Sequence, residues 1–231
     1  MSELKRIDEG LWGCERAFST LGVQSSLRMV IIRLKSGDLF LHSPVALNDE
    51  LRRELSDIGH VRHLVAPNMA HHLFIAPYAE AFPDAILWGA PGLAEKKPKL
   101  PLHRVLGEGS VPPWSEELDQ LVVGGIPQTN EVVFLHRASG SLILTDLAIH
   151  FPHSRQANWW TRTMLKLQKV YDCPPGPSAF MKRLTRDESA LRASIDRMLG
   201  WDFDRLVLTH GDIVYPGGRE ALRFAFDYLR P

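Results

Sequence analysis

Val61-Arg62-His63-Leu64-Val65-Ala66-Pro67-Asn68-Met69-Ala70-His71-His72 is the stretch on which the reading of the fold turns. Val61 to Ala66 is apolar and partly β-branched, the pattern of a short strand buried on both faces. Pro67, which has no N–H to give to a ladder, ends it. Two adjacent imidazoles therefore stand just beyond a strand end, and a helix is expected to begin at them and to finish before Pro83.

Upstream, Arg28 to Leu34 and Leu39 to His42 flank the turn Lys35-Ser36-Gly37-Asp38, a hairpin signature, and Ser43-Pro44 closes it. Asn48 to Gly59 reads as a helix with Asn48 as cap and Leu51, Leu55 and Ile58 on its apolar face. Downstream, Ala85 to Trp88 is a strand. The proline-rich stretch 89–117 is irregular, with one short strand expected near Val105. Leu118 to Gly124 follows as a strand, and Glu131 to His136 and Ser141 to Thr145 form a second hairpin that ends at Asp146. Thr185-Arg186-Asp187-Glu188 has the form of a capping box and opens a helix through Leu191, Ile195 and Leu199 to Gly200. Asp204 to Thr209 is the last strand, running into His210-Gly211-Asp212. A final helix after Gly217-Gly218 turns Leu222, Phe226 and Leu229 inward. Two strand-rich halves, each with helices, suggest two sheets face to face with helices outside.

Composition bounds the function classes. A chain of 231 residues with 45% hydrophobic and 23% charged residues is globular, which excludes wholesale disorder and fibres. Lys+Arg and Asp+Glu are each 27, so the net charge is zero and supplies no field for nucleic acid or an anionic membrane. Cys14 and Cys173 cannot build a disulfide scaffold and read as small hydrophobes. No apolar run is long enough to span a membrane and no secretory signal is visible, so a cytoplasmic protein is expected.

Ten histidines are the compositional oddity. His71-His72, Asp146 and His210 each lie just past a strand end, where side chains from different elements converge on one rim. Three imidazoles and a carboxylate suit a borderline divalent ion such as zinc. The competing reading makes the histidine pair a helix cap and Asp146 a turn residue.

In order along nearly the whole chain, these segments resemble metallo-β-lactamase-fold hydrolases. Val61 to His72 looks like the strand and loop of the H-x-H-x-D-H signature. Leu142-Ile143-Leu144-Thr145-Asp146 resembles the strand that delivers the metal-bridging Asp, and Leu206 to Asp212 the strand that delivers the last His. More narrowly, Leu39-Phe40-Leu41-His42-Ser43-Pro44, the His71-His72 pair and Thr145-Asp146-Leu147 resemble the divergent DUF4336 branch. The resemblance implies an α/β fold, a four-layer αβ/βα sandwich over residues 1–231. With His72 on the signature's final His, Pro67 and Met69 fall where the first two His belong and His71 where the Asp belongs. The family's mid-chain His has no counterpart in Gly125-Ile126-Pro127-Gln128-Thr129. The ligands of the first metal position are thus missing. The second keeps His71, His72, Asp146 and His210, which implies one divalent ion, zinc first with iron or manganese as alternatives, or none if the site is a remnant.

Two functions stay open. One is a mononuclear metal-dependent hydrolase of an ester-, lactone-, thioester- or amide-like bond in a small-molecule substrate. The other is a non-catalytic binding or structural protein on a degenerate scaffold, with the ion structural if four ligands close its shell. No nucleic-acid partner is expected. His150 and His153 follow Asp146 closely; His150 is the candidate acid/base helper, against the plainer reading of an exposed loop histidine. His42 is expected to be buried and hydrogen-bonded, and Asp212 either orients His210 or serves a turn. Residues 151–182, with Trp159-Trp160 and interleaved Arg155, Arg162, Lys166 and Lys169, read as a Pro- and aromatic-bounded helical insert. It can pack on the core, wall a pocket, form a homodimer contact or lie on a membrane surface.

Overall fold

The computed structural model describes residues 2–109, 111–153 and 157–230; Arg155 falls outside them. Its strands form two sheets. β1 (Lys5–Asp8), β2 (Leu11–Thr20), β3 (Val23–Arg33), β4 (Asp38–His42), β5 (His60–Ala66), β6 (Ile86–Gly89) and β7 (Arg104–Val105) lie side by side in chain order. Pairing is antiparallel from β1 to β4 and parallel from β4 to β7. The second sheet takes β8 (Leu118–Val122), β9 (Val132–His136), β10 (Ser141–Leu144) and β11 (Arg205–Leu208) in the order β11-β10-β9-β8, with β10 and β11 parallel.

Alternation along the strands builds the layers. Val30, Ile32, Phe40 and Val65 of the first sheet meet Val132, Phe134, Ile143 and Val207 of the second in one buried cluster between the sheets. Their neighbours point the other way. Met29, Ile31, Leu39, Leu41 and Leu64 pack under α1 (Asp49–Ile58) and α2 (Ile75–Ala81). Five further helices follow: α3 (Leu93–Lys96), α4 (Trp159–Leu167), α5 (Ala179–Leu184), α6 (Glu188–Leu199) and α7 (Gly218–Ala225). The outward side chains Val133, Leu135, Leu142, Leu144, Leu206 and Leu208 pack under α6 and α7. A side-chain period of two, apolar at both phases, is what lets each sheet bury both faces. The result is the helix/sheet/sheet/helix sandwich that the sequence leads one to expect. Phe40 rivets its middle, with ring centroids 4.8 Å from Trp114 and 5.1 Å from Phe134, both edge-on.

Several local expectations are corrected. β2 and β3 form one long hairpin whose strands begin well before Arg28. Its two-residue turn, Leu21 (φ 51°) and Gly22 (φ 76°), has the positive φ values that tight hairpins need, but Leu is not a residue that advertises them. The helix expected at His71-His72 starts at Ile75 instead, because Asn68 holds the preceding residues in a turn. Thr185 closes α5 instead of opening α6: its backbone N–H donates to the Lys182 carbonyl and its hydroxyl to that of Met181, while the Asp187 carboxylate accepts from Ala190 N–H and opens α6. His42 is fully buried as expected, yet neither ring nitrogen has a hydrogen-bond partner.

His63, buried between Trp88 and Trp114, accepts from the Trp88 indole N–H through Nδ1, and burial drives its pKa down to about 4. In the unfolded chain it titrates near 6.5, so below that pH the unfolded state binds a proton that the folded state refuses. Resistance to urea is therefore expected to fall as pH drops from about 6.5 towards 4. His63→Gln should flatten that slope, as read from denaturation midpoints across the range.

Candidate metal centre

Parallel pairing sets the strand ends in register. β4 and β5 run side by side and end at His42 and Ala66; β10 and β11 do the same and end at Leu144 and Leu208. The turns beyond these ends deliver Ser43, His71, Asp146 and His210 to the floor of one cavity of about 390 Å³.

Three of the four expected ligands meet there. His71 Nε2 lies 3.3 Å from His210 Nε2 and 3.4 Å from Asp146 Oδ1, and His210 Nε2 lies 3.3 Å from the same oxygen. The side chains are 6%, 20% and 13% exposed for His71, Asp146 and His210. Among the described residues this is the group whose donor atoms could hold a metal ion. Ligands at ~2.0–2.1 Å around a tetrahedral ion stand about 3.3–3.4 Å apart, the edge of this triangle. Two imidazoles and one carboxylate are also the donor set of a borderline divalent ion.

His72 is not in the triangle. It lies outside the cavity lining, with burial and the charges of Lys97 and Lys96 lowering its pKa. His150 does not reach the site either. Its backbone bridges to Gly211, and its neighbours Ile149 and Phe151 line the cavity, so in extended chain its own ring faces away. Its Nδ1 is buried without a partner. His153 sits instead beside Asp172 and Tyr171.

The groups that fix the triangle went unseen in the sequence. The Ser26 carbonyl accepts from His210 Nδ1–H at 3.0 Å, which leaves Nε2 as the lone-pair nitrogen; this is the role considered for Asp212. Ser43 Oγ lies 2.7 Å from His71 Nδ1 and holds that ring with its Nε2 turned to Asp146 and His210. Ser43 is held at φ 55°, a conformation few non-glycine residues adopt. Asn68 is fully buried. Its Oδ1 accepts from Ala70 and His71 N–H at 2.8 Å, and its Nδ2 donates to Asp146 Oδ2 at 2.7 Å. Beneath, the buried Glu131 carboxylate accepts from the backbone N–H groups of Thr145, Asp146 and Leu147 at 2.7, 2.9 and 2.9 Å. An acid opening the apolar run Val132-Val133-Phe134-Leu135 was the one available signal, since such a group needs buried partners.

Charge follows position. Burial pushes the Asp146 carboxyl up, but the charges and hydrogen bonds of His71 and His210 overcome it and hold the group well below the usual carboxylate range. Burial pushes His210 down, while the hydrogen bond and charge of Asp146 more than reverse this. Glu131 is raised by burial and by the Asp146 charge above it.

The remaining walls of the cavity are apolar. Phe18, Val23 and Leu27 come from the β2–β3 hairpin, Leu73 and Phe74 from the turn before α2, and Phe151 and Leu165 from the 151–182 segment. α4 rests on a small cluster of Phe151, Leu165, Val170 and Tyr171, and its Trp160 indole N–H donates to the Leu21 carbonyl. So the segment both packs on its own chain and walls the pocket.

A four-layer sandwich with a His/Asp/His triangle at its strand ends defines a metallo-hydrolase-like scaffold of the metallo-β-lactamase fold. The chain superposes on a metallo-β-lactamase from Pontibacter korlensis at a TM-score of 0.66, with 13% identity over 98% of each chain. One from Erythrobacter litoralis, with β-mercaptoethanol in its active site, gives 0.67, with 12% identity over 99% of this chain and 97% of that one. FIM-1 from Pseudomonas aeruginosa, in its mono-zinc form, gives 0.64, with 12% identity over 98% and 93%. At such identities the likeness shows the fold. The chain belongs to the DUF4336 family, a domain of unknown function whose family model matches residues 8–201. No curated protein matches it.

Glu131→Gln keeps the shape of the side chain but sets an amide N–H₂ against a backbone N–H. It should cost about 1–3 kcal/mol of stability, the penalty for stranding buried donors. Thermal unfolding of the variant against the parent chain measures it.

Proposed function

We propose that His71, Asp146 and His210 hold one divalent ion, with zinc favoured by the donor set, and that the protein is a mononuclear metal-dependent hydrolase of an ester-, lactone-, thioester- or amide-like bond. The observation that carries this is the triangle of 3.3–3.4 Å edges opening on a cavity. Three protein ligands leave a position open to the cavity, the habit of catalytic zinc; four would have favoured a structural ion. His72's place outside the group therefore supports catalysis over a closed shell.

When bound, such an ion lowers the pKa of water towards neutrality and polarises a carbonyl oxygen. The chain's own residues do the rest. His210 offers its Nε2 lone pair because the Ser26 carbonyl accepts from its Nδ1–H, and His71 is held with Nε2 inward by Ser43, whose hydroxyl can accept from Nδ1–H when an ion takes Nε2. Asp146 supplies the negative charge, kept ionised by the two rings and oriented by Asn68. The apolar walls exclude water and so strengthen every electrostatic interaction at the floor. No general base stands in the cavity among the described residues, since Glu131 is spent on backbone N–H groups and His150 faces away.

Laying the family signature one residue earlier, with its final His on His71, sets Ala66, Asn68 and Ala70 at its other positions. A first metal position is lost in either register, which supports a single ion. FIM-1, of the same fold, also exists in a mono-zinc form.

Metal content of the protein as purified tests the proposal. About one ion per chain is expected, lost in His71→Ala and His210→Ala and retained in His72→Ala. EDTA should abolish any hydrolysis of 4-nitrophenyl acetate. Metal-free protein whose stability is unchanged by both substitutions would make the site a remnant.

A further inference from the structure

From the cavity we infer the chemical class of the ligand: a small, uncharged carbonyl compound with an aliphatic or aromatic tail. Placing its polar end at the floor rests on the metal-site reading; the tail's preference rests on the walls alone. Apart from the triangle, the polar lining side chains are the neutral hydroxyls of Thr20, Ser25 and Ser43. Among the described residues no Lys or Arg lines the cavity. A carboxylate or phosphate on the ligand would meet no Lys or Arg there, and would face the carboxyl group of Asp146. A cation fares no better, because Oδ1 of Asp146 is shared by two imidazoles and Oδ2 is taken by Asn68.

The apolar character continues to the mouth. Leu73 lines the cavity while 60% exposed, and Leu21, between the lining residues Thr20 and Val23, is 91% exposed at the hairpin tip. A volume of about 390 Å³ is at the small end for ligand sites, enough for a short tail and a carbonyl head but not for a two-chain lipid. Each methylene buried against such walls should raise affinity about fourfold.

Calorimetric titration with acetamide, hexanamide and hexanoate, on the protein as purified and after EDTA, tests the inference. Hexanamide should bind at least tenfold more tightly than acetamide in both samples, and more tightly than hexanoate after EDTA. Leu73→Arg, at an exposed position where the fold is indifferent, should reverse the preference towards hexanoate without changing metal content. Equal affinity for the two amides, tighter binding of hexanoate to the EDTA-treated parent chain, or an unchanged preference in Leu73→Arg would overturn the inference. Metal content read on the same samples separates the two proposals. Bound metal with no gain from the longer tail sinks the ligand class alone, and tail-dependent binding by protein that is already metal-free as purified sinks the metal reading alone.

Discussion

The hydrogen bonds of Asn68 couple the two halves of the molecule at the place where its chemistry would occur. The residue follows β5 of the first sheet, and its amide reaches Asp146, which follows β10 of the second. The same side chain fixes the turn that carries His71. The backbone reinforces the join: Val132 N–H donates to the Pro67 carbonyl, and Met69 N–H to that of Thr129. Sheet-on-sheet burial brings the strand ends close, but it is indifferent to rotations of a few degrees in the side chains beyond them. Directional bonds to a buried amide and a buried carboxylate supply the precision that apolar packing lacks.

The layers were legible in the sequence because hydrophobic alternation is a local signal. Arg28 to Leu34 and Leu142 to Thr145 are apolar at both phases, and only a sheet covered on both faces explains that. The first hairpin was half legible. Its outer half, Ser19 to Ser26, is largely polar around an unadvertised Leu-Gly turn, so nothing in the composition marked it as strand. The start of α6 was misread because Thr185 and Asp187 are both competent caps, and which one acts depends on where α5 stops.

In the site, the side chains that converge from the strand ends were legible and their supports were not. His71 and His72 are indistinguishable as letters; the turn imposed by Asn68 decides which ring enters the cavity, and that is a tertiary fact. Ser26 acts on His210 through its backbone carbonyl, which leaves no trace in residue identity. Glu131 was visible as an acid at the start of an apolar strand, but its partners are backbone groups on a neighbouring strand's end.

The triangle also poses an electrostatic problem that the rest of the site answers in one direction. Two imidazole nitrogens and a carboxylate oxygen lie within 3.3–3.4 Å of one another, and where all three present lone pairs the group calls for a shared positive charge. A proton can supply it, which is why His210 holds one more strongly than its burial alone would allow. A proton, however, bridges two atoms, whereas the site presents three at equal spacing. Ser26 and Ser43 engage the outer nitrogens of both rings and turn both inner nitrogens inward at once. An arrangement built for a proton would need only one of those rings to be set this way, and it is on this paired setting that the proposal of an ion rests.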